Sequence, residues 1–379
     1  MIYADNAATT KISDLALEKM LPFLREQYGN ASSQYLLGTR AKRAVEQARR
    51  QISAAIWAKP PEIIFTSGGS ESNNWVLHNV ADSYRGQAIH VITSSIEHHS
   101  VLNACQALEA TGAELTYLPV DNYGRVAVDD VKKAVKANTR LVTLMLANNE
   151  IGTIQPISEI GRFLYESGIL FHTDAVQAVG HIPVNVNDLH VDFLTASAHK
   201  FNGAKGTGIL YKKSGLKLLP LIFGGAQEQG LRAGTENVAG IVAAGYALEE
   251  SIATMGETTE RLKTMIDATV NGIRKRVPCV KANGDPKNRL PGTINLRFDG
   301  VSGESLMHLL DLKGICISTS SACTSGNDEP SHVLLASGLT EKQAKESIRI
   351  SYGRHNTLEE ANIVAIAVSE AYNKINSVT

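Results

Sequence analysis

From about residue 60 to residue 215, short apolar segments rich in β-branched residues alternate with helical segments. This alternation is typical of a mostly parallel sheet covered by helices on both faces, because parallel strands need crossover connections. The predicted strands are Glu62–Thr66, Ala88–Thr93, Glu114–Pro119, Leu141–Ala147, Ile169–Thr173, Asp192–Ala196 and Gly208–Lys212. The predicted helices between them are Glu71–Asn79, Ser100–Thr111, Val128–Ala137 and Ile157–Ser167. The sequence therefore predicts an α/β fold with a seven-stranded, mainly parallel sheet.

The pattern changes after Asn237. A long helical stretch follows, which Pro278 should end because proline cannot continue a helix. Strand-like segments at Gly292–Phe298 and Ile315–Ser318 come next, and a helix at Leu358–Ile375 completes the chain. These mixed elements predict a smaller α+β domain.

A chain of 379 residues with 43% hydrophobic and 20% charged residues is typical of a globular protein with more than one domain. We predict a large α/β domain over residues 15–255. Residues 1–14 precede the α/β pattern, so we assign them, with residues 256–379, to the small α+β domain.

Positive and negative charges nearly cancel, with 37 Lys and Arg against 38 Asp and Glu. No overall basic field is therefore available to hold nucleic acid or an anionic membrane. A cluster of basic residues at helical spacing predicts a solvated helix face; its members are Arg40, Lys42, Arg43, Arg49 and Arg50. The first residues lack the features of a secretory signal, and no segment has the roughly 18 apolar residues of a membrane span. We expect a cytoplasmic protein that binds neither membranes nor, directly, nucleic acid.

The strongest local feature is the motif Ser-Ala-His-Lys that ends at Lys200, directly after a predicted buried strand. A lysine there lies at the carboxyl end of a parallel strand, where open α/β sheets bind ligands. Asp174 and Gln177 follow another predicted strand and project from the same kind of edge. An amine, a carboxylate and an amide are therefore expected at the carboxyl ends of the strands.

The segment Ser67–Ser72 links a strand to a helix and reads Ser-Gly-Gly-Ser-Glu-Ser. Its backbone N–H groups and the positive end of the helix dipole suit a phosphate group. It matches neither the Walker loop nor the dinucleotide fingerprint. A phosphate site, a strand-end lysine and a strand-end aspartate together favour pyridoxal 5'-phosphate, which needs a Schiff-base lysine and a carboxylate that keeps its ring nitrogen protonated.

Seven motifs occur in an order that resembles the NifS/IscS-type cysteine desulfurases of the class V aminotransferase family. The motifs are Ser-Gly-Gly-Ser-Glu-Ser, Glu97-His98-His99, Asn148-Asn149-Glu150-Ile151-Gly152, Asp174-Ala175-Val176-Gln177, Ser-Ala-His-Lys200, Gly230-Leu231-Arg232-Ala233-Gly234-Thr235 and Ser321-Ala322-Cys323-Thr324-Ser325. The resemblance extends from Tyr3 to Arg349. It implies a fold type I transferase dependent on pyridoxal 5'-phosphate, a homodimer with active sites at its interface, and L-cysteine as substrate.

The resemblance also implies a role for each matched residue around the cofactor ring. Lys200 would hold the cofactor as a Schiff base, Asp174 would pair with the ring nitrogen, and Gln177 would hydrogen-bond the ring hydroxyl. His98 would stack on the ring and help to move protons. Lys200, His98 and Cys323 are thus the expected catalytic residues.

Further matched positions would bind the phosphate and the substrate. The phosphate positions are Gly69, Ser70, Ser197 and His199, together with Thr235, which would reach the phosphate across the dimer. Asn149 and Arg349 would hold the substrate carboxylate, and a planar guanidinium suits bidentate carboxylate binding.

Cys323 lies among Ser, Thr, Ala and Gly residues from Ser318 to Gly326, a composition that predicts a mobile loop. By resemblance, Cys323 attacks the sulfur of bound cysteine, which yields alanine and a Cys323 persulfide for an acceptor such as an iron–sulfur scaffold or a tRNA-thiolation protein. We predict that Cys105, Cys279 and Cys316 are packing residues. No Cys or His spacing suggests a metal site.

Two alternatives stay open. The first is another aminotransferase or lyase of the same fold, including a selenocysteine lyase, whose activity would survive Cys323→Ala. The second is a non-catalytic scaffold protein, which would carry no cofactor on Lys200.

Overall fold

The computed structural model describes residues 1–319 and 329–377. The strands within them are β1 (Ile2–Tyr3), β2 (Ile63–Thr66), β3 (His90–Ser94), β4 (Glu114–Leu118), β5 (Thr139–Thr143), β6 (Leu170–Asp174), β7 (Phe193–Ser197), β8 (Gly208–Lys212), β9 (Lys281–Asn283), β10 (Thr293–Arg297), β11 (Ile315–Cys316), β12 (Ser318–Thr319) and β13 (Ser347–Ser351). The α-helices are α1 (Asp14–Arg25), α2 (Leu36–Ala55), α3 (Gly69–Ser83), α4 (His99–Ala110), α5 (Val128–Ala134), α6 (Ile157–Ser167), α7 (Val238–Ala253), α8 (Met255–Arg274), α9 (Gly303–Asp311), α10 (His332–Ala336), α11 (Glu341–Lys345) and α12 (Leu358–Asn376). Single 3-10 turns cover Pro60–Glu62, Ala198–Lys200 and Gln227–Gly230.

The large sheet has seven strands in the order β2-β8-β7-β6-β5-β3-β4. Strand β8 runs antiparallel to both of its neighbours, and the remaining neighbouring pairs are parallel. This arrangement confirms the predicted seven-stranded, mainly parallel sheet.

Successive side chains along the central strands enter cores on opposite faces of this sheet, as the period of two in a β-strand requires. In β5, Val142 joins the core formed with α2, α6 and α7, whereas Leu141 joins the core formed with α3 and α4. Both faces are therefore buried, which explains why apolar residues occupy successive positions in these strands.

A third core lies between α8, α12 and a four-stranded antiparallel sheet in the order β12-β13-β10-β9. Ala4 contributes to this core, and β1 pairs in parallel with β11. The first residues therefore pack with the C-terminal part of the chain, and the domain bounds given above stay a prediction. None of the helices in the described part of the chain combines the length and apolar character that crossing a bilayer requires.

The helical stretch after Asn237 is two helices rather than one. Thr254 separates α7 from α8, and its hydroxyl donates to the Glu250 carbonyl at 2.9 Å. A threonine hydroxyl that bonds back to the preceding turn competes with continued helix formation. The second helix ends before Pro278, as predicted.

Arg49 departs from the solvated face that the basic cluster predicts. Its guanidinium is buried and donates to both carboxylate oxygens of Glu228 at 2.8 Å, and to the Ile63 carbonyl at 2.6 Å. The prediction of a solvated face is therefore wrong for Arg49. The ion pair fixes the segment around Glu228 against α2 and β2.

Replacing Arg49 by Ala would leave the Glu228 carboxylate buried without its partner, a loss that costs about 3–5 kcal/mol. We expect Arg49→Ala to lower the stability of the protein by that amount in urea unfolding. The exposed pair of Lys313 and Glu370, 2.6 Å apart, supplies the control. Lys313→Ala should cost at most about 1 kcal/mol, and similar losses in the two variants would contradict the prediction.

Candidate active site

A cavity of about 280 Å³ opens at the carboxyl ends of β6 and β7. Residues from both sheets, from the N-termini of α3 and α4, and from the first residues of the chain surround it. They are Ala7, Ala8, Gly69, Ser70, Asn73, His98, Ser100, Met145, Ala147, Asn149, Asp174, Val176, Gln177, Ser197, His199, Lys200 and Arg349. The structure thus brings together every predicted cofactor and substrate residue except Thr235.

Lys200 reaches this cavity from the 3-10 turn that directly follows β7. Its Nζ donates to the carbonyls of Ala7 and Ala8 at 2.5 and 2.8 Å. Its own carbonyl contacts the Nε2 atom of His181 at 2.8 Å. Backbone contacts at both ends therefore hold the lysine at the strand edge.

Asp174 is the last residue of β6 and is buried. One carboxylate oxygen accepts from the Val176 N–H at 3.0 Å, and the other accepts from Asn73 Nδ2 at 2.7 Å. Gln177, also buried, donates to the Ala7 carbonyl at 3.0 Å. These contacts fix the orientation of the carboxylate and the amide in the cavity.

The segment before α3 has the backbone of a phosphate site. The helix begins at Gly69, and the preceding Gly68 has no side chain to cap it. A Cβ at Gly69 would lie 2.8 Å from Val176 Cγ2, so a larger residue would require the Val176 side chain or the helix N-terminus to shift away from this close approach. Ser70 and Ser197 line the cavity beside this N-terminus.

Two histidines in the cavity have pKa values below the ordinary value. Burial lowers the pKa of His98, whose Nδ1 caps α4 by accepting from the Ser100 N–H at 3.1 Å. Burial lowers the pKa of His199 to about 4, and the positive charge of Lys200 adds to this effect. Both imidazoles are therefore neutral at pH 7.

Arg349 lies on β13 with its side chain buried. Its guanidinium donates to the Asn149 carbonyl at 2.9 Å and to Asp5 Oδ1 at 2.7 Å. Strand pairing places Ser318, close to the end of the first described segment, opposite Arg349. On the other flank, the Ser331 hydroxyl hydrogen-bonds the carboxylate of Glu150, the residue after Asn149.

Two predicted site residues are not among those that line this cavity. Thr235 lines a separate cavity of about 80 Å³, together with Ser67 and Arg232, so its role across a dimer stays a prediction. Cys323 lies outside the described residues. The first two residues of the loop predicted from Ser318 to Gly326 form β12 instead, and the rest of that prediction falls outside the described residues.

The remaining cysteines differ in environment. Cys105 is buried in α4, where burial raises the pKa of its thiol to about 12, and Cys316 is half-buried in β11. Cys279 is exposed, with its Sγ 3.4 Å from the hydroxyl oxygen of Tyr372. The prediction that Cys279 is a packing residue is therefore wrong.

Sequence reasoning missed Asn73, Ser100 and the carbonyls of Ala7 and Ala8. Asn73 follows Ser70 by three residues, a spacing that places both on one helix face, so helical periodicity could have identified it. Ser100 follows His98 by two residues, and the Glu97-His98-His99 motif does not extend to it. Backbone carbonyls have no residue-type signature, and no sequence signal points to Ala7 or Ala8.

The residues of the cavity fit pyridoxal 5'-phosphate. Lys200 supplies an amine for its aldehyde, Asp174 an acceptor for its ring nitrogen, and the N-terminus of α3 donors for its phosphate. The close approach that Gly69 allows forms the cradle for that phosphate. The volume is near the lower end of the roughly 300–1,000 Å³ typical of small-molecule sites.

Glu97, next to His98, is a buried carboxyl with an asymmetric environment. Ser94 and the Met145 N–H donate to its Oε1 at 2.6 and 3.0 Å, whereas Oε2 has no hydrogen-bond partner among the described residues. Burial raises the pKa of Glu97 to about 8, despite these two donors. The neutral carboxyl is therefore the form that the folded protein favours.

Because the pKa of Glu97 is raised from 4.5 to about 8 on folding, its contribution to stability is complete below pH 4.5 and is lost as the pH rises through 8. Glu97→Gln removes this dependence. We expect the variant to gain stability relative to the wild type by up to about 1.4 kcal/mol per pH unit across this range in urea unfolding. A control at the exposed Glu359, Glu359→Gln, should show no such trend; a flat difference for Glu97→Gln would contradict the prediction.

The fold and the site have close relatives among known proteins. The family model described as aminotransferase class-V matches residues 2–364. The cysteine desulfurase IscS of Methanosarcina thermophila is 47% identical over 378 residues, covering 100% of this chain and 93% of the relative. The cysteine desulfurase IscS of Dictyoglomus turgidum is 48% identical over 378 residues, covering 100% and 96%.

Solved structures agree with these relatives. A NifS-like protein superposes with a TM-score of 0.93 and 37% identity, covering 100% of both chains. A structure described as SspA in complex with cysteine superposes with a TM-score of 0.84 and 37% identity, covering 93% of this chain and 98% of the other. With a matched family model and relatives at this identity over the whole length, the chain belongs to the aminotransferase class-V family of enzymes dependent on pyridoxal 5'-phosphate.

Proposed function

We propose that this chain is a cysteine desulfurase that converts L-cysteine to L-alanine and takes the sulfur onto Cys323 as a persulfide. The observation that carries the proposal is the meeting of Lys200, Asp174 and Arg349 in one cavity. The two described flanks of the Cys323 segment contact Arg349 and Glu150, beside that cavity. The full-length relatives named cysteine desulfurase, and the cysteine-bound structural neighbour, support the same reaction.

The bound pyridoxal 5'-phosphate supplies an electron sink for bonds broken at the amino acid. Lys200 supplies the amine that holds the cofactor, and Asp174 keeps its ring nitrogen protonated. Arg349 carries the charge for the substrate carboxylate, and its contact with the Asn149 carbonyl fixes the plane of the guanidinium. His98 lies in the same cavity as a neutral imidazole.

Sulfur transfer requires Cys323 as a thiolate, since the thiolate is the nucleophile. The thiolate forms an S–S bond with the substrate sulfur while the substrate C–S bond breaks. The electron pair of that bond stays with the substrate carbon, which gains a proton and becomes the methyl group of alanine. The transferred sulfur leaves as the outer atom of the Cys323 persulfide, ready for a second thiol of an acceptor.

The homodimer also belongs to this proposal. Phe223 is 84% exposed and Ile222 39% exposed, just before the segment that carries Thr235. An exposed apolar pair beside a residue expected to reach a second active site supports association of two copies. The acceptor is expected to be an iron–sulfur scaffold or a tRNA-thiolation protein, and the cytoplasmic location stays a prediction.

The reaction is tested by incubating the cofactor-loaded protein with L-cysteine and a reducing thiol and measuring alanine and sulfide together. We expect equal amounts from the wild type and a loss of about a hundredfold or more in Cys323→Ala, because the nucleophile is gone. Cys279→Ala is the matched control, since it removes an exposed thiol outside the cavity and should retain full activity.

Undiminished turnover by Cys323→Ala, or pyruvate in place of alanine, would favour the lyase or aminotransferase alternative. Absence of a visible cofactor band that depends on Lys200 would favour the scaffold alternative. Either result would contradict the proposed function.

Arg349→Lys should raise the KM for L-cysteine by about tenfold or more with a smaller change in kcat. A lysine keeps the charge but loses the bidentate geometry that a carboxylate matches. Arg354→Lys is the control, because Arg354 lies three residues past the end of β13 and pairs with Glu250 at 2.6 Å instead. Steady-state kinetics of both variants measure the effect, and an unchanged KM in Arg349→Lys would assign the carboxylate to another residue.

A further inference from the structure

A continuous chain of hydrogen bonds joins Asp174 to His98 through two residues that the proposed function does not use. Asn73, on α3, contacts Asp174 Oδ2 at 2.7 Å and the Ser100 hydroxyl at 2.9 Å, both through its Nδ2. The Ser100 hydroxyl in turn lies 2.8 Å from His98 Nδ1. The chain therefore links the expected partner of the cofactor ring nitrogen with the histidine expected to stack on the ring.

The Asn73 amide gives this chain a direction. An ionised carboxylate only accepts hydrogen bonds, so the nitrogen of the amide has to face Asp174. The opposite orientation would place the amide oxygen against the carboxylate. With the amide nitrogen facing Asp174, the Asn73 Oδ1 atom is buried and has no hydrogen-bond partner among the described residues.

The direction continues through Ser100. Because Asn73 donates to the Ser100 oxygen, the hydroxyl hydrogen of Ser100 is available for the next acceptor, which is His98 Nδ1. The backbone N–H of Ser100 also points at this atom, at 3.1 Å. Two donors converge on Nδ1, so this nitrogen bears no proton, and the proton of the neutral imidazole resides on Nε2.

We propose that Asn73 is a positioning residue that acts through the Ser100 hydroxyl and, together with the Ser100 backbone N–H, favours one tautomer of His98, so that the imidazole presents an Nε2–H donor to the cavity. With Nδ1 occupied by the N-terminus of α4, Nε2 is the ring nitrogen left for a ligand. The inference deepens the proposed function, on which it rests for the identity of that ligand. The direction of the chain depends only on contacts within the protein.

The charges around His98 come from several elements. Asp174 on β6 raises the pKa of His98, and Lys200 after β7 and His99 on α4 lower it, although burial has the largest effect and lowers it. His332 on α10 also lies near enough to interact. Hydrogen-bond donors to Nδ1 lower the pKa of His98, as burial does, because they stabilise the neutral ring.

The test is nitrogen NMR of the cofactor-loaded protein labelled with ¹⁵N-histidine, with the His98 signals assigned by their loss in His98→Gln. In the wild type we expect an unprotonated Nδ1 and a protonated Nε2 at neutral pH. A protonated Nδ1 in the neutral ring would overturn the proposal without the need for any variant.

Asn73→Asp should reverse the direction of the hydrogen bond between Ser100 and residue 73. A carboxylate at this position accepts the Ser100 hydroxyl hydrogen, so that a lone pair of the hydroxyl oxygen faces His98. We expect a larger share of the neutral ring to be protonated at Nδ1, against the remaining Ser100 backbone N–H donor, and a rise of about one unit in the pKa of His98. Asn74→Asp is the matched control, because it adds the same negative charge at the neighbouring residue. Asn74 donates only to the backbone carbonyls of Ser70 and Ser100, so its tautomer signature should match the wild type.

Ser100→Ala provides a second variant if the buried charge in Asn73→Asp prevents folding. It removes one of the two donors to Nδ1 and keeps the backbone donor, so the pKa of His98 should rise while Nδ1 stays unprotonated in the neutral ring. No change in either variant would overturn the proposal. These signals do not depend on alanine formation, so failure here is distinguishable from failure of the desulfurase assay.

Discussion

The parallel pairing of β6 with β7 is the constraint on which the active site depends. In this register Asp174 lies opposite Thr195, so both strands end at one edge of the sheet. The carboxylate is the last residue of β6, and Lys200 follows the end of β7 by three residues. An antiparallel pair would have placed these groups at opposite edges. The amine and the carboxylate of the site therefore meet because of strand direction, and the third partner, the N-terminus of α3, packs on the same edge because Gly69 has no Cβ.

The first ten residues join the two parts of the molecule at this edge. The Ala7 carbonyl accepts from Lys200 and Gln177 of the large sheet, while its N–H binds the Ser351 hydroxyl of the small sheet. Asp5, also among these first residues, forms an ion pair with Arg349 of the small sheet. The Ala7 and Ala8 carbonyls that accept from the lysine thus belong to a turn, which follows the bridge between Asp5 and Ser351 of the small sheet. Cofactor and substrate residues are held in one geometry by backbone that carries no chemistry of its own.

Burial, rather than the nearest charge, governs the ionisable groups around the cavity. The pKa of His98 is lowered although Asp174 acts in the opposite direction. The pKa of Glu97 is raised to about 8 although two hydrogen-bond donors contact its carboxyl group. Glu150 follows the same rule, since burial raises its pKa to about 7 against the Ser331 hydroxyl and Arg349. Removing an ionised group from water costs several kcal/mol, which exceeds what one or two hydrogen bonds return. Burial therefore favours the neutral forms of these imidazole and carboxyl groups around the cavity.

The sheet and the reacting groups could be predicted from the sequence, because short apolar runs that alternate with helical patterns, and the residues that follow them, are local signals. Lys200, Asp174 and the phosphate segment follow from such signals, and Cys323 rests on sequence alone. Only the tertiary structure decided which groups touch. Asn73 meets Ser100 across 27 positions of the chain, and Arg49 meets Glu228 across 179; no local pattern encodes a contact between distant residues. The backbone carbonyls that hold Lys200 lie beyond any sequence pattern, because every residue has one and only folding selects which of them reaches the amine.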